Sequence, residues 1–419
     1  MKLPSIQECE GLFARYKVPD NFLWHCQKVA QVGTFLAVEL KKKGVPIDVE
    51  LTECACLLHD LFKFVTLDEL KADKKFKAKN PTKQQLASWK ALKEKYKGMH
   101  EREIVYAELH PHYPELAILL RDASHHRRVV EKAQERTWEE KIQHYADARV
   151  LGDQVVLLPE RLKDGFERYK EDILKFGVHN FEKEKKVLEE DEKEIFSLIG
   201  VSPEILLNFN QDVHKVTVDA YDTFTEEYYE GTKNYKDHHF YLKDASIKKG
   251  DLLLDVGCAF GRDVALLKEK GIKVLGVDLS QKMIAKAKSL HPDIEFHVMD
   301  MRKLHFPKEH FDHIICNAAL LHLKKEEIPS VLRSFFMMLK QGGKLWVGVK
   351  EGKGEHFEMR KTSLKFAAFF SPEEIKELMK KAGFVLLHFY ENIEQRKDER
   401  ITWLDLIVQK PLKRKQVRE

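Results

Sequence analysis

Two kinds of hydrophobic spacing divide the chain. From about Asn21 to Lys170 apolar residues recur at helical intervals, with almost no strand signal. Val29, Val32, Phe35, Leu36 and Leu40 fall on one face, and Gly44 follows where a helix C-cap belongs. Similar patterns recur from Leu51 to Phe64 and from Glu101 to Leu120. Past Gly200 the pattern changes to short aliphatic or β-branched runs: DLLLDVG, IKVLGVD, IEFHVMD, FDHIICN and KLWVGVK. Helical stretches separate them, which predicts a parallel sheet wound on both faces. FVLLHFY and ITWLDLIVQ then follow across a charged turn, so they are expected to pair antiparallel. Between the halves, FEKEKKVLEEDEKEI (Phe181 to Ile195) is nearly all charge and reads as a linker or a solvent-exposed helix.

Size and composition sharpen this division. At 419 residues the chain exceeds one ordinary hydrophobic core, so two domains are expected. A formal charge of +4 against 33% charged residues implies no nucleic-acid partner through bulk electrostatics. The lysine-rich stretch from Lys71 to Gly98 reads as an exposed insertion, and the basic tail KPLKRKQVRE as a solvated terminus. No apolar run approaches the roughly 20 residues a bilayer span needs, and MKLPSIQECE lacks an apolar signal core. Cys9, Cys26, Cys54, Cys56, Cys258 and Cys316 form no C-x-x-C pair. Together these predict a cytoplasmic protein with reduced thiols and no membrane partner.

The first run of the second half ends in LDVGCAFGRD, Leu254 to Asp263. Glycines after a strand let backbone approach a ligand closely. A dinucleotide fingerprint would need glycines where Ala259 and Arg262 stand, so the pyrophosphate-binding form is excluded. The next two runs also end in acids, Asp278 and Asp300. A carboxylate at the first position can accept ribose hydroxyls, and one at the second can accept an adenine amino proton. From about Asp219 to Gln409 the chain resembles the class I S-adenosylmethionine-dependent methyltransferases. The resemblance implies that Asp255, Gly257, Ala259 and Gly261 surround the methionine part, with Arg262 and Asp263 opening the next helix. It also implies that Asp278 binds ribose, Leu279 and Met301 sandwich adenine, Asp300 reads its amino group and Asn317 lines the sulfonium end. His322, in ALLHL, is the candidate base. YDTFTEEYYEG, Tyr221 to Gly231, is the candidate lid, and KEGKGE the candidate acceptor loop. DNA-methylation signatures such as N-P-P-Y are absent, which leaves small molecules as the expected acceptors.

In the first half, LLHDLFK runs an apolar stretch into His59, Asp60 and Lys63. Such a pair is often only a capped helix end. Here His25, His100, His125, His126 and Asp147 accompany it on otherwise apolar helices, a mixed set that suits a divalent metal. From about Asn21 to Lys170 these elements resemble the HD superfamily of metal-dependent phosphohydrolases. Its H…HD…D pattern falls on His25, His59, Asp60 and Asp147, and its HD-x-x-K form adds Lys63 as a phosphate contact. Relatives with two metals add two histidines, for which His100 and His126 fit by spacing, with His125 as competitor. The metal, iron, manganese, magnesium or zinc, would support hydrolysis of a nucleotide-like phosphate ester. A G-Y-P element is missing, which argues against cyclic di-GMP, while an oxidative di-iron role shares the same ligand types.

The expected architecture is therefore multidomain: an all-α HD domain over 1–180, a charged linker or helix over 181–204, and an α/β Rossmann-like methyltransferase with a mostly parallel seven-stranded sheet over 205–419. Two enzymes in one chain is the leading reading. A methyltransferase with a ligand-sensing HD domain and an RNA methyltransferase are the alternatives.

Overall fold

The computed structural model describes residues 2–123, 135–168, 170–176, 178–234, 244–395 and 400–412. They form two compact units, Met1–Gln211 and Asp212–Glu419. The first is helical apart from a short hairpin of β1 (Val150–Leu151) and β2 (Gln154–Val155). Its central helix, Asp20–Lys42, buries Val29, Val32, Phe35, Leu36 and Leu40 completely. Each such side chain contributes roughly 1.5–3 kcal/mol relative to exposure. Gly44 takes the left-handed conformation that ends the helix, with φ 81°. Against this helix pack Val49–Leu58 and Trp138–Asp147. Asp48 caps the former by accepting the Leu51 N–H, and a Thr137/Glu140 capping box starts the latter.

Two stretches that read as polar have more structure than their composition suggests. The charged run belongs to the helix Val178–Ile199, which buries Val187, Leu188, Ile195, Phe196 and Ile199 along one stripe. Asp191 on that stripe is buried against the Arg136 guanidinium at 2.8 Å. Inside the lysine-rich insertion, Thr82 and Gln85 form a capping box that starts the helix Lys83–Lys95, none of whose side chains is buried.

The second unit centres on a seven-stranded sheet in the order β10-β11-β7-β6-β3-β4-β5. β3 (Leu252–Val256), β4 (Lys273–Asp278), β5 (Glu295–Val298), β6 (Phe311–Asn317) and β7 (Leu339–Lys350) are mutually parallel. After β8 (Glu355–Arg360) and β9 (Ser363–Ala368), which form a separate antiparallel hairpin, β10 (Val385–Gln395) and β11 (Arg400–Gln409) close the edge antiparallel. The central strands are apolar on both faces: Leu253, Leu254, Ile314, Leu345 and Val347 are all fully buried. Strand order reverses between β3 and β6, so a crevice opens beyond their carboxyl ends.

Candidate functional site

In the helical unit, three elements bring their polar groups to one point. His25 comes from the second turn of the Asp20–Lys42 helix. His59 and Asp60 follow the last turn of Val49–Leu58, and Asp147 ends Trp138–Asp147. Ligand atoms of His25, His59 and Asp60 lie within 4.8 Å of one another. Asp147 Oδ1 lies 3.1 Å from His25 Nε2 and 3.5 Å from His59 Nε2. The tautomers follow from the other ring nitrogens. His25 Nδ1 donates to the Gly152 carbonyl at 2.8 Å, and His59 Nδ1 donates to the Cys56 carbonyl at 2.8 Å. In the neutral rings both Nε2 lone pairs therefore face carboxylate oxygens, acceptor against acceptor. His59 Nε2 is buried without a hydrogen-bond partner.

A cation at this point resolves that conflict, and the N/O donor set suits a borderline divalent ion. The carbonyl contacts are of the kind that fixes the orientation of an imidazole facing a metal. Charge follows the same geometry. Burial works against a charged His59 ring, yet Cys26, Asp60 and Asp147 raise its pKa well above the ordinary value. Burial likewise opposes the Asp147 carboxylate, but the His25 and His59 rings set against it hold it well below the usual range.

His100 and Lys63 are engaged elsewhere. His100 is the N-cap of Glu101–Leu109, its Nδ1 accepting the Arg102 N–H at 3.4 Å, and its side chain is 52% exposed. It does not join the group formed by His25, His59 and Asp60 among the described residues. The reason is local: a helix start leaves N–H groups without partners, and the ring next to them satisfies one. His125 and His126 lie outside the described residues. Lys63 is joined to Glu101 Oε1 at 2.8 Å, so its ammonium meets a carboxylate of its own chain.

In the second unit a cleft of about 810 Å³, open to solvent, lies beyond the strand ends. Gly257, Ala259, Asp278, Leu279, Asp300, Met301, Asn317 and His322 line it. Asp255 and Gly261, also expected around the ligand, are not among the cleft's lining residues. Gly261 has φ 80°, and a Cβ there would come 2.6 Å from the Phe296 ring. Burial, with Asp263 and Asp278 nearby, pushes the Asp255 carboxyl well above its usual range.

Asp278 ends β4 with each oxygen already accepting one backbone N–H, from Ala259 at 2.9 Å and Ser280 at 2.8 Å. Each oxygen keeps a second lone pair. Leu279 is 36% exposed although apolar, and Met301 is half-buried, so the cleft carries apolar surface beside this carboxylate. Asp300 is more heavily engaged than expected. Arg302 forks onto it at 2.7–3.0 Å, then reaches Glu327 at 3.0 Å, and Glu327 in turn takes His214. Although burial opposes it, Arg302 holds Asp300 below its ordinary pKa.

At the other side of the cleft, His322 Nδ1 donates to the Phe366 carbonyl at 2.7 Å, which leaves Nε2 to accept the Tyr221 hydroxyl at 2.9 Å. Burial first, then the Lys365 and Lys350 charges, push the ring down to about 3, so it is neutral at physiological pH. Among the lining residues not singled out individually from the sequence, His214, Thr217, Val218 and Tyr221 share one helix. Their spacing of i, i+3, i+4 and i+7 on the helix Val213–Thr223 is the signal that one face of that helix meets the cleft.

Known families overlap both sites. A model described as HD domain matches residues 22–150, and one described as methyltransferase domain matches residues 253–343. The chain joins an HD domain to a methyltransferase domain. Among curated proteins, the methyltransferase domain is similar to phosphoethanolamine N-methyltransferase 1 of Arabidopsis thaliana. The two are 35% identical over 112 residues, covering 26% of this chain and 22% of that protein. It is also similar to sterol 24-C-methyltransferase of Saccharomyces cerevisiae, 29% identical over 184 residues, 39% of this chain and 46% of that protein. This chain thus spans between a fifth and a half of the length of these relatives. A solved structure of Haemonchus contortus phosphoethanolamine N-methyltransferase 2 with S-adenosyl-L-methionine overlaps at TM-score 0.39 and 18% identity, covering 48% of this chain and 60% of that one.

Proposed function

We propose that the methyltransferase domain moves a methyl group from S-adenosylmethionine to a small-molecule nucleophile, and that the HD domain is a metal-dependent phosphohydrolase. The observation that carries the first reading is one cleft holding Asp278, an apolar flank and the Tyr221–His322 pair. The donor set fits the cofactor: a carboxylate with lone pairs to spare for ribose hydroxyls, Leu279 and Met301 for a flat ring, and the Asn317 amide deeper in the cleft. S-adenosylmethionine supplies an electrophilic methyl group. The chain supplies alignment and dryness, which suffice for most of an in-line displacement. Tyr221 presents its oxygen to the acceptor, because its proton is directed to His322 Nε2. Neutral and buried, His322 orients Tyr221 and is too weak a base to act alone. The relatives' names point to two unlike acceptors, phosphoethanolamine and a sterol, so they select neither.

For the HD domain, His25, His59, Asp60 and Asp147 would hold a divalent metal, which supplies Lewis acidity toward a phosphate ester. The buried, unpartnered His59 Nε2 carries this reading. A sensing role is the second reading, favoured by the Lys63–Glu101 pair that occupies the expected phosphate contact. Two measurements on the full chain test the proposals. Calorimetry with S-adenosylmethionine should show saturable binding, and no heat at any concentration rejects the methyltransferase reading. Elemental analysis after chelator-free, anaerobic purification should show about one metal per chain, and metal that cannot be restored by added ions rejects the hydrolase.

A further inference from the structure

The β8–β9 hairpin, inserted between β7 and the edge strands, is fixed to the cleft by its backbone. Phe366 N–H donates to Thr217 Oγ1 at 2.9 Å, while its carbonyl accepts His322 Nδ1–H. Lys350 and Glu358 form a buried pair at 2.8 Å beneath it. The hairpin's cations mostly have carboxylate partners: Lys361 meets Glu227, and Lys365 meets Glu358 at 3.8 Å. Arg360 differs. It ends β8 just before the turn, half-buried, with its guanidinium carbon 4.9 Å from the Tyr228 ring centre and 5.6 Å from that of Tyr221. Both rings line the cleft and meet edge-on at 5.5 Å. Among the described residues the Arg360 side chain makes ring contacts and no hydrogen bond or ion pair.

A guanidinium resting on aromatic rings is held in orientation while its N–H edge stays available to a planar or tetrahedral oxyanion. A half-desolvated cation without an anion is costly. The geometry points to Arg360 as the anchor for an oxyanion, carboxylate or phosphate, carried by the methyl acceptor. This rests on the methyltransferase reading and gives it a substrate class: a nucleophile with an acidic group at one end, held so that its other end meets Tyr221. A purely structural Arg360 would only pin the helices carrying Tyr221 and Tyr228.

The test is equilibrium dialysis of radiolabelled inorganic phosphate and, separately, acetate against the full chain. The protein is stripped of metal by chelator, saturated with S-adenosylhomocysteine and kept at constant ionic strength. One of the two anions should bind saturably, phosphate marking a phosphorylated acceptor and acetate a carboxylic one. Arg360→Gln should weaken that binding at least about tenfold, and Arg360→Lys, which keeps the charge and loses the fork, by a smaller factor. S-adenosylhomocysteine affinity should stay within about twofold, since Arg360 does not line the cofactor's part of the cleft. Retention of neither anion, or equal retention by Arg360→Gln, overturns the proposal while leaving the cofactor reading intact. Failure of S-adenosylhomocysteine to bind the unaltered chain removes both.

Discussion

The two candidate sites use the same residue types and finish them in opposite ways. In the HD domain, imidazole lone pairs and carboxylate oxygens converge, and His59 Nε2 is left without a partner. In the methyltransferase domain each acid already has its own partners: Asp278 takes two backbone N–H groups and Asp300 takes a guanidinium. A convergence of acceptors calls for a cation. A shaped cleft whose two acids are already hydrogen-bonded calls for a molecule that adds to existing hydrogen bonds. Removing one ligand should therefore hurt far more in the first site than in the second.

The largest effect is expected for Asp60→Ala. Losing one anionic ligand should lower metal affinity by more than the roughly 10–100-fold typical of outer-shell changes. Metal content and S-adenosylmethionine affinity are measured together, and the second should not move. A metal content equal to that of the unaltered chain would remove Asp60 from the ligand set, and a parallel loss of cofactor binding would break the independence of the sites. Asp278→Ala is the mirror image and should be milder. Hydrogen bonds to a charged group are worth about 1.5–3 kcal/mol each, so cofactor affinity should fall about tenfold to a few hundredfold. Metal content should be untouched. Unchanged cofactor affinity would sink the ribose assignment.

How much of this contrast was legible in the sequence differs between the domains. The parallel strands were readable because central strands are continuous apolar runs, and the acids end those runs by position alone. His25, His59 and Asp60 were readable as a pattern, but no pattern reveals that two Nδ1 atoms are committed to carbonyls, which is what turns both Nε2 atoms inward. The β8–β9 hairpin was invisible, since EHFEMR and SLKFAA mix polar and apolar residues like a loop, and KEGKGE drew the eye instead. Asp300 was read as a ready acceptor because Arg302, two residues on, gave no hint that it would fold back. Composition concealed the apolar stripe of Val178–Ile199, because charges outnumber the few residues that pack.

A third contrast concerns protons. His59 is held toward the charged form by its acidic neighbours, whereas His322 is pushed down to about 3 by burial and then by Lys365 and Lys350. The unfolded chain binds a proton at this position below about 6.5, the folded one only near 3. Between those values the unfolded state holds more protons, so stability is intact above about 6.5 and drains away as pH falls. The slope from this residue alone is at most about 1.4 kcal/mol per pH unit. His322→Gln removes the titrating ring, so its stability should depend less steeply on pH over that window, as read by urea unfolding at several pH values. Identical slopes would mean that the ring is protonated in the folded chain, and that Tyr221 is oriented by something other than a neutral Nε2.

The smallest effect is expected at His100, where the sequence placed a second metal ligand and the fold uses a cap. Its Nδ1 faces the Arg102 N–H, and half of its side chain is in water. Cap removal at a helix start costs about 0.5–2 kcal/mol for the best capping residues. A long acceptor contact of 3.4 Å sits at the low end of that range. His100→Asn should accordingly be neutral or slightly stabilising, since asparagine is among the preferred caps. His100→Ala should lose a few tenths of a kcal/mol in urea unfolding, and metal affinity should be the same in both variants. A loss of metal from His100→Asn, with stability unchanged, would show that the ring swings from the helix end to a metal, and would restore the second-site assignment. Unchanged metal in both variants leaves His25, His59, Asp60 and Asp147 as a sufficient set, and makes the contrast between the two domains one of a single unmet cation against a cleft whose acids Asp278 and Asp300 already have partners.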